Sequence, residues 1–362
     1  VTILAVKDPV YHVEKWQKLG VDFPFFVGPM VGISHVATRR LVRDYLPRQV
    51  QAMLFTEMLS TRRLPCERID RVHELKVDSE PGQFIPQILG NEEKFIAASL
   101  RKLETLQPFG FDINMGCPVK HTLRHNWGVR LMGDLSYAAQ VVAWTKKHTL
   151  LPVGVKLRAG SDTRNDSYLL DFVQALEAAG ADWLTIHART ALQKHSGPAS
   201  WDLVGEIAAQ LQIPVIANGD IQTADDAIKT LTSHGAGGAM IGRAITARPW
   251  LLGQIAWKMQ QADPLRYPFV FDKPPPMTPE AESREYFCAL DRYIDLLEQH
   301  FADEDYCLKK LRFFIATGSV FFLFGHAFWK MSMKDRSLKD LRLAIQEYGA
   351  QSRHEWKDRA NL

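Results

Sequence analysis

Short apolar runs rich in β-branched and aromatic residues alternate along the chain with stretches whose apolar positions recur at helical spacing. That alternation predicts strand–helix units built on a parallel sheet. Eight runs stand out: Phe25 to Gly28, Met53 to Thr56, Phe84 to Ile88, Phe111 to Asn114, Val153 to Leu157, Trp183 to His187, Pro214 to Ala217 and Gly238 to Ile241. Between them, Thr223 with Asp226 three positions on has the form of a capping box, and Gly180 and Gly235 sit where helices should close. Eight repeats in about 240 residues is the size of a (β/α)8 barrel, whose chemistry gathers where the strands end.

Beyond Trp250 the pattern changes. Pro264, Pro268 and Pro274-Pro275-Pro276 punctuate a linker over residues 263–277, and from Thr278 the spacing is helical to the end. The chain therefore reads as α/β: an N-terminal extension over 1–20, a TIM barrel over 21–262, the linker, and a small all-helical domain over 278–362. From Tyr306 onward that last domain carries eleven Lys/Arg against five Asp/Glu, a basic surplus. Phe313 to Trp329 is apolar enough to raise a membrane helix. It falls short of the roughly 20 residues a span needs and contains Gly318, Gly325 and His326, so a buried helix or helix pair and no membrane contact are expected.

Composition adds exclusions. With 362 residues, 46% hydrophobic, 23% charged and a formal net charge of +3, the chain is neither disordered nor a disulfide miniprotein, and net charge alone does not argue for nucleic acid. Cys66, Cys117, Cys288 and Cys307 are far apart, so neither a disulfide framework nor a metal site is signalled and a reducing cytoplasm is expected. The first twenty residues carry several charges and lack the apolar run of a secretory signal.

The residues that follow each run collect polar and glycine positions at one rim. The first run leads into Pro29-Met30-Val31-Gly32, the third ends in Gln87, the fourth leads into Asn114-Met115-Gly116-Cys117-Pro118, and the fifth holds Lys156. The sixth ends in His187-Ala188-Arg189-Thr190, the seventh in Asn218-Gly219-Asp220, and the eighth in Gly242-Arg243. Glycine turns after the last two strands are the usual phosphate site of this fold, and Arg243 and Lys156 add positive charge. A strand lysine also suits Schiff-base or pyridoxal phosphate chemistry. The amides of Gln87 and Asn114 donate and accept, as the edge of an isoalloxazine ring requires, so a flavin is the better expectation. Cys117, in a Gly-Cys-Pro turn at the rim, is a candidate reactive thiol; the other three cysteines read as structural.

Five segments, Asp112-Ile-Asn-Met-Gly-Cys-Pro-Val-Lys120, His187-Ala-Arg-Thr190, Ser196-Gly-Pro-Ala-Ser-Trp201, Pro214-Val-Ile-Ala-Asn-Gly-Asp220 and Met240-Ile-Gly-Arg243, occur in the order and spacing of the flavin-dependent tRNA-dihydrouridine synthases. The resemblance runs from about Phe25 to Gln254. It implies an FMN-bound barrel that reduces the C5–C6 double bond of uridine in tRNA, with NADPH reloading the flavin. It further implies that Pro29, Met30, Val31, Gln87, Lys156, His187, Asn218, Gly219, Asp220, Gly242 and Arg243 hold FMN and that Cys117 is the general acid at C5. Asn114 and Arg189 would meet the substrate.

A base inside folded tRNA reaches a barrel mouth only when it is extruded, so the RNA around it must be gripped. Lys309, Lys310, Arg312 and Lys330, with Lys334, Arg336 and Lys339 beyond, are the candidates for phosphate contacts. No protein partner is expected and the chain reads as a monomer. One departure from the family is Asn126-Trp127-Gly128, followed by Arg130, where relatives usually carry a Gly-Ala-Gly-like turn. The Trp127 indole would narrow the uracil pocket, stack on the flipped base or pack under the Cys117 loop. Two other readings are an RNA-binding, chaperone-like protein on an inactive barrel and a flavin-dependent reductase of a small molecule.

Overall fold

A computed structural model describes the chain except residues 1–9, 79, 162–164, 195, 335–336, 352–354 and 361–362. Eight strands, β1 (Phe25–Val27), β2 (Leu54–Ser60), β3 (Phe84–Leu89), β4 (Phe111–Met115), β5 (Val153–Arg158), β6 (Trp183–His187), β7 (Val215–Asn218) and β8 (Gly238–Ile241), pair in sequence order as a closed parallel barrel, β8 returning to β1. All eight fall on the apolar runs of the sequence. Helix α1 (Val10–Gln17) precedes the barrel, and α2 (Val36–Asp44), α3 (Glu93–Glu104), α4 (Lys120–Arg124), α5 (Leu135–Lys147), α6 (Asp166–Ala178), α7 (Trp201–Ala208), α8 (Ala224–Thr232) and α9 (Leu251–Ala262) surround it.

Alternation along each strand separates two cores. Ile113 and Met115 of β4, Val155 and Leu157 of β5 and Leu184 and Ile186 of β6 face the helices. Their neighbours, Asp112, Asn114, Lys156, Arg158, Thr185 and His187, therefore turn into the barrel. The interior floor is apolar, formed by Phe26, Met53, Phe55, Ile85, Trp183, Ile216 and Met240. Trp16 joins this floor and donates its indole N–H to Gly237 O at 2.6 Å, so part of the segment read as an extension closes the bottom of the barrel. An apolar floor leaves the polar chemistry at the upper, C-terminal end.

The capping box at Thr223 and Asp226 is present, and Gly180 and Gly235 take positive φ just past α6 and α8. The expectation of eight equal repeats fails at the second. Between β2 and β3 the described chain forms short 3-10 turns, Leu64–Cys66, Ile69–Arg71 and His73–Leu75, instead of an α-helix. The pairing of β2 with β3 shifts register between Phe55 and Met58, an irregularity that carries Glu57 to the rim.

After the Pro-rich segment, α10 (Pro279–His300) starts on a Thr278 N-cap with Pro279 in its first turn. Then follow α11 (Glu304–Gly318), α12 (Gly325–Ser332) and α13 (Leu338–Gln351). The apolar stretch over 313–329 is thus two helices broken by a 3-10 turn at Ser319–Phe321, and among the described residues no helix is long and apolar enough to cross a membrane. These helices share one hydrophobic core with α2, β1, β8 and α9. Arg248 on the barrel side pairs with Glu282 of α10 at 2.7 Å, and Trp250 and Gln254 also donate to Glu282. The helical part is thereby fixed against one side of the barrel mouth.

Candidate active site

Two features of the upper rim meet the needs of an anionic ligand. The turn after β7 places Gly219 at φ +110° and Asp220 at φ +59°. A Cβ on Gly219 would stand 2.9 Å from the His187 ring, so only glycine brings this backbone so close to His187. Met30, His187, Asn218, Gly219, Asp220, Gly242 and Arg243 line one cavity of about 240 Å³ with Arg158, Arg189 and Gln222. At Gly242 a Cβ would meet nothing within 4 Å, so the glycine leaves the cavity open there. Asn218 is braced by a 2.8 Å hydrogen bond from its amide to Met240 O. The glycine turns named from sequence are therefore brought together; Val31, at 59% exposed, is not among the residues lining this cavity.

Deeper in the mouth lies a run of buried polar side chains. Gln87 Nε2 donates to Asp112 Oδ2 at 2.6 Å, Asn114 Nδ2 donates to Gln87 Oε1 at 2.8 Å, and Asn114 Oδ1 accepts from the backbone N–H of Gly116 at 3.1 Å and of Cys117 at 2.9 Å. Among the described residues, Asp112 Oδ1 is buried without a hydrogen-bond partner. Burial pushes the Asp112 carboxyl up, partly offset by Gln87 and Lys156. Burial likewise pulls the Lys156 ammonium down, opposed by the carboxylate of Asp112. Lys156 Nζ makes no hydrogen bond or ion pair among the described residues.

Cys117 is held on a loop pinned from three sides. Arg158 Nε donates to Gly116 O at 3.1 Å, the N–H of Val129 donates to Cys117 O at 3.1 Å, and Asn114 takes the N–H groups. Gly128, at φ +62°, lies so close that a Cβ would stand 2.4 Å from Cys117 O. Trp127 is buried beside this loop: it donates to Asn91 Oδ1 at 2.8 Å, and the Arg62 guanidinium and the His125 ring, themselves 3.2 Å apart, both lie against its indole. Of the three roles open to it from sequence, packing is the one its burial and its bond to Asn91 accord with. Arg130 is exposed.

Several sequence-based assignments need correction. Lys310 is buried and pairs with Glu57 at 3.2 Å, so it is not a surface phosphate contact. Glu57 also accepts from the N–H of Gly32 at 2.7 Å, tying the loop after β1 to α11. Arg312 donates to Ser332 O at 3.2 Å, within the helical part, while Lys309 and Lys330 are exposed. Arg189 holds Asp220 through both carboxylate oxygens at 2.6 and 2.7 Å and donates to Gly197 O, so it shapes the β7 turn. Arg336 lies outside the described residues. Arg158 escaped the sequence reading and Asp112 entered it only as the first residue of a motif, although each is two positions from a residue it singled out, on the same inward face.

The family model described as dihydrouridine synthase (Dus) matches residues 26–312. A probable tRNA-dihydrouridine synthase 1 of Synechocystis sp. is 34% identical over 246 residues, covering 68% of this chain and 68% of that protein. A probable tRNA-dihydrouridine synthase of Rickettsia prowazekii is 31% identical over 237 residues, covering 65% and 70%. Among solved structures, a 2-naphthoyl-CoA reductase complex aligns with a TM-score of 0.48 at 12% identity, covering 65% of this chain and 50% of that one.

Proposed function

The chain belongs to the dihydrouridine synthase family, an oxidoreductase family, and from that premise we propose that it reduces uridine to 5,6-dihydrouridine in tRNA, with FMN as cofactor and NADPH as reductant. The observation that carries the proposal is the pairing, at one barrel mouth, of a glycine-lined anion cavity with a cysteine whose loop is pinned by Asn114, Arg158 and Gly128.

The residues present fit a flavin phosphate. The Asn218-Gly219-Asp220 and Gly242-Arg243 turns line one cavity, and the Arg243 guanidinium supplies charge where a phosphate would sit. Met30 and His187 border the same space. Lys156, whose ammonium makes no hydrogen bond among the described residues, supplies a cation for the electron-rich edge of the ring. When bound, the flavin supplies the hydride that adds to C6 of uracil.

The remaining steps fall to the protein. Hydride addition at C6 leaves enolate character that needs a proton at C5, and the Cys117 thiol is the acid placed to give it. Arg158 and Asn114 keep that thiol's backbone fixed as the base arrives. Residues 21–262 hold the cofactor and residues 278–362 dock the RNA, with the exposed Lys309 and Lys330 as phosphate contacts. Lys309 shares a face of α11 with Phe313, whose ring lies beside Gly32 at the mouth. The test is direct: purified protein should carry a flavin absorbance bleached by NADPH, and should then form dihydrouridine in unmodified tRNA. Protein that never binds flavin, or reduced protein that leaves tRNA unchanged, refutes the reading.

A further inference from the structure

The geometry points to Asp112 as a positioning residue, the terminal acceptor that completes a side-chain hydrogen-bond chain running to the Cys117 backbone. The inference rests on the reading of Cys117 as the acid, but its geometry stands without it. The two ends of the chain are chemically different. At the upper end, the backbone N–H groups of Gly116 and Cys117 can only donate. Asn114 must therefore turn its oxygen to them, which leaves its NH₂ to donate toward Gln87. Gln87 must in turn present its oxygen to Asn114 and its NH₂ onward, so the chain has to end on an acceptor. Asp112 Oδ2, 2.6 Å from Gln87 Nε2, is that acceptor.

The middle members cannot fix this direction themselves, because each amide can exchange its oxygen and NH₂ by a half-turn. Were Gln87 and Asn114 both reversed, the Asn114 NH₂ would face two backbone donors. All three side chains are buried, where a misdirected donor is costly. The chain also belongs to the barrel and not to a loop: Gln87 and Asp112 are register partners on β3 and β4. The direction does not depend on the charge of Asp112. A proton taken up by the carboxyl can sit on the unpartnered Oδ1, and Oδ2 still accepts from Gln87.

This reading separates two variants. In Asp112→Leu the acceptor is gone, Gln87 is free to turn, and the Cys117 loop loses its anchor. In Asp112→Asn a carbonyl oxygen can still face Gln87, and the anchor holds. The readout is the rate of Cys117 alkylation by iodoacetamide, followed by peptide mass mapping, with the exposed Cys66 and Cys288 as internal references. Cys117 should react about tenfold faster in Asp112→Leu, the scale of one lost hydrogen bond, and within about twofold of the native rate in Asp112→Asn. Gln87→Met cuts the same chain at its middle and keeps the test valid if Asp112→Leu folds poorly. It should give a similar rise, and the double variant no further rise.

Unchanged alkylation in both Asp112→Leu and Gln87→Met, equal acceleration in Asp112→Leu and Asp112→Asn, or additive effects in the double variant would overturn the inference. Flavin content measured on the same samples keeps the two readings apart. Protein without flavin that still shows the alkylation pattern refutes the cofactor and spares the chain.

Discussion

Gly128 lies directly against the carbonyl of Cys117, with its φ at +62° and no room for a Cβ, which would stand 2.4 Å from that oxygen. The turn after α4 is thus part of the Cys117 support and not a free loop. Gly128→Ala adds one methyl group and demands a left-handed backbone that costs an L-residue about 1–2 kcal/mol. The loop must shift, so dihydrouridine formation should fall at least tenfold while flavin content stays at the native level. Kinetics and absorbance on one preparation check this; full activity would show that the loop tolerates displacement.

The anion cavity makes a separable prediction. Arg243→Met should weaken FMN by roughly ten- to a hundredfold, the worth of a charge-assisted hydrogen bond. Riboflavin, which lacks the phosphate, should be affected little. Titration of the flavin-free protein with both ligands measures the difference, and an equal loss for both would move the phosphate elsewhere.

Lys309 and Lys310 are adjacent in sequence and opposite in surroundings: one is exposed, the other buried against Glu57. Lys309→Ala and Lys330→Ala should each lower the salt dependence of tRNA binding by about one unit of slope and leave the melting temperature unchanged. Lys310→Ala strands Glu57 beneath the helical part and should cost about 3–5 kcal/mol of stability, as for one partner removed from a buried pair. Filter binding at several salt concentrations, set beside thermal melts, separates the two.

His35 carries a pH prediction. It is buried between the barrel and the helical part, where its Nε2 lies 3.1 Å from Tyr293 Oη and its Nδ1 has no hydrogen-bond partner among the described residues. Burial, with Lys310 and Arg39 adding, holds its imidazole well below the ordinary value of 6.5. The unfolded chain therefore binds a proton that the folded one refuses. This contribution to stability is present above pH 6.5 and is lost as pH falls below it, with a slope of up to about 1.4 kcal/mol per pH unit. Denaturant melts between pH 7 and 5 should show that slope in the native protein and a shallower one in His35→Gln.

Much of the barrel was legible because strand runs such as Trp183 to His187 and Gly238 to Ile241 are short, apolar and bounded by glycine or polar residues. The glycine turns that line the cavity were legible for the same reason: Gly219 and Gly242 follow strands whose order places them side by side. The β2 strand was read short because Glu57 and Met58 interrupt its apolar run, and the register irregularity that accommodates them leaves no mark in composition. Lys310 was misread because a lysine within a basic helix looks the same whether it meets water or Glu57, which is 253 positions away. Asp112 belonged to a recognised motif, yet its task became visible only when Gln87 was seen beside it.

The central claim, that Cys117 gives the proton at C5, is tested most directly by dihydrouridine formed per enzyme in unmodified tRNA under saturating NADPH, in native protein and in Cys117→Ala matched for flavin content and tRNA affinity. The alanine variant should be at least 100-fold slower, the usual worth of a positioned general acid. Equal rates in the two proteins would contradict the account.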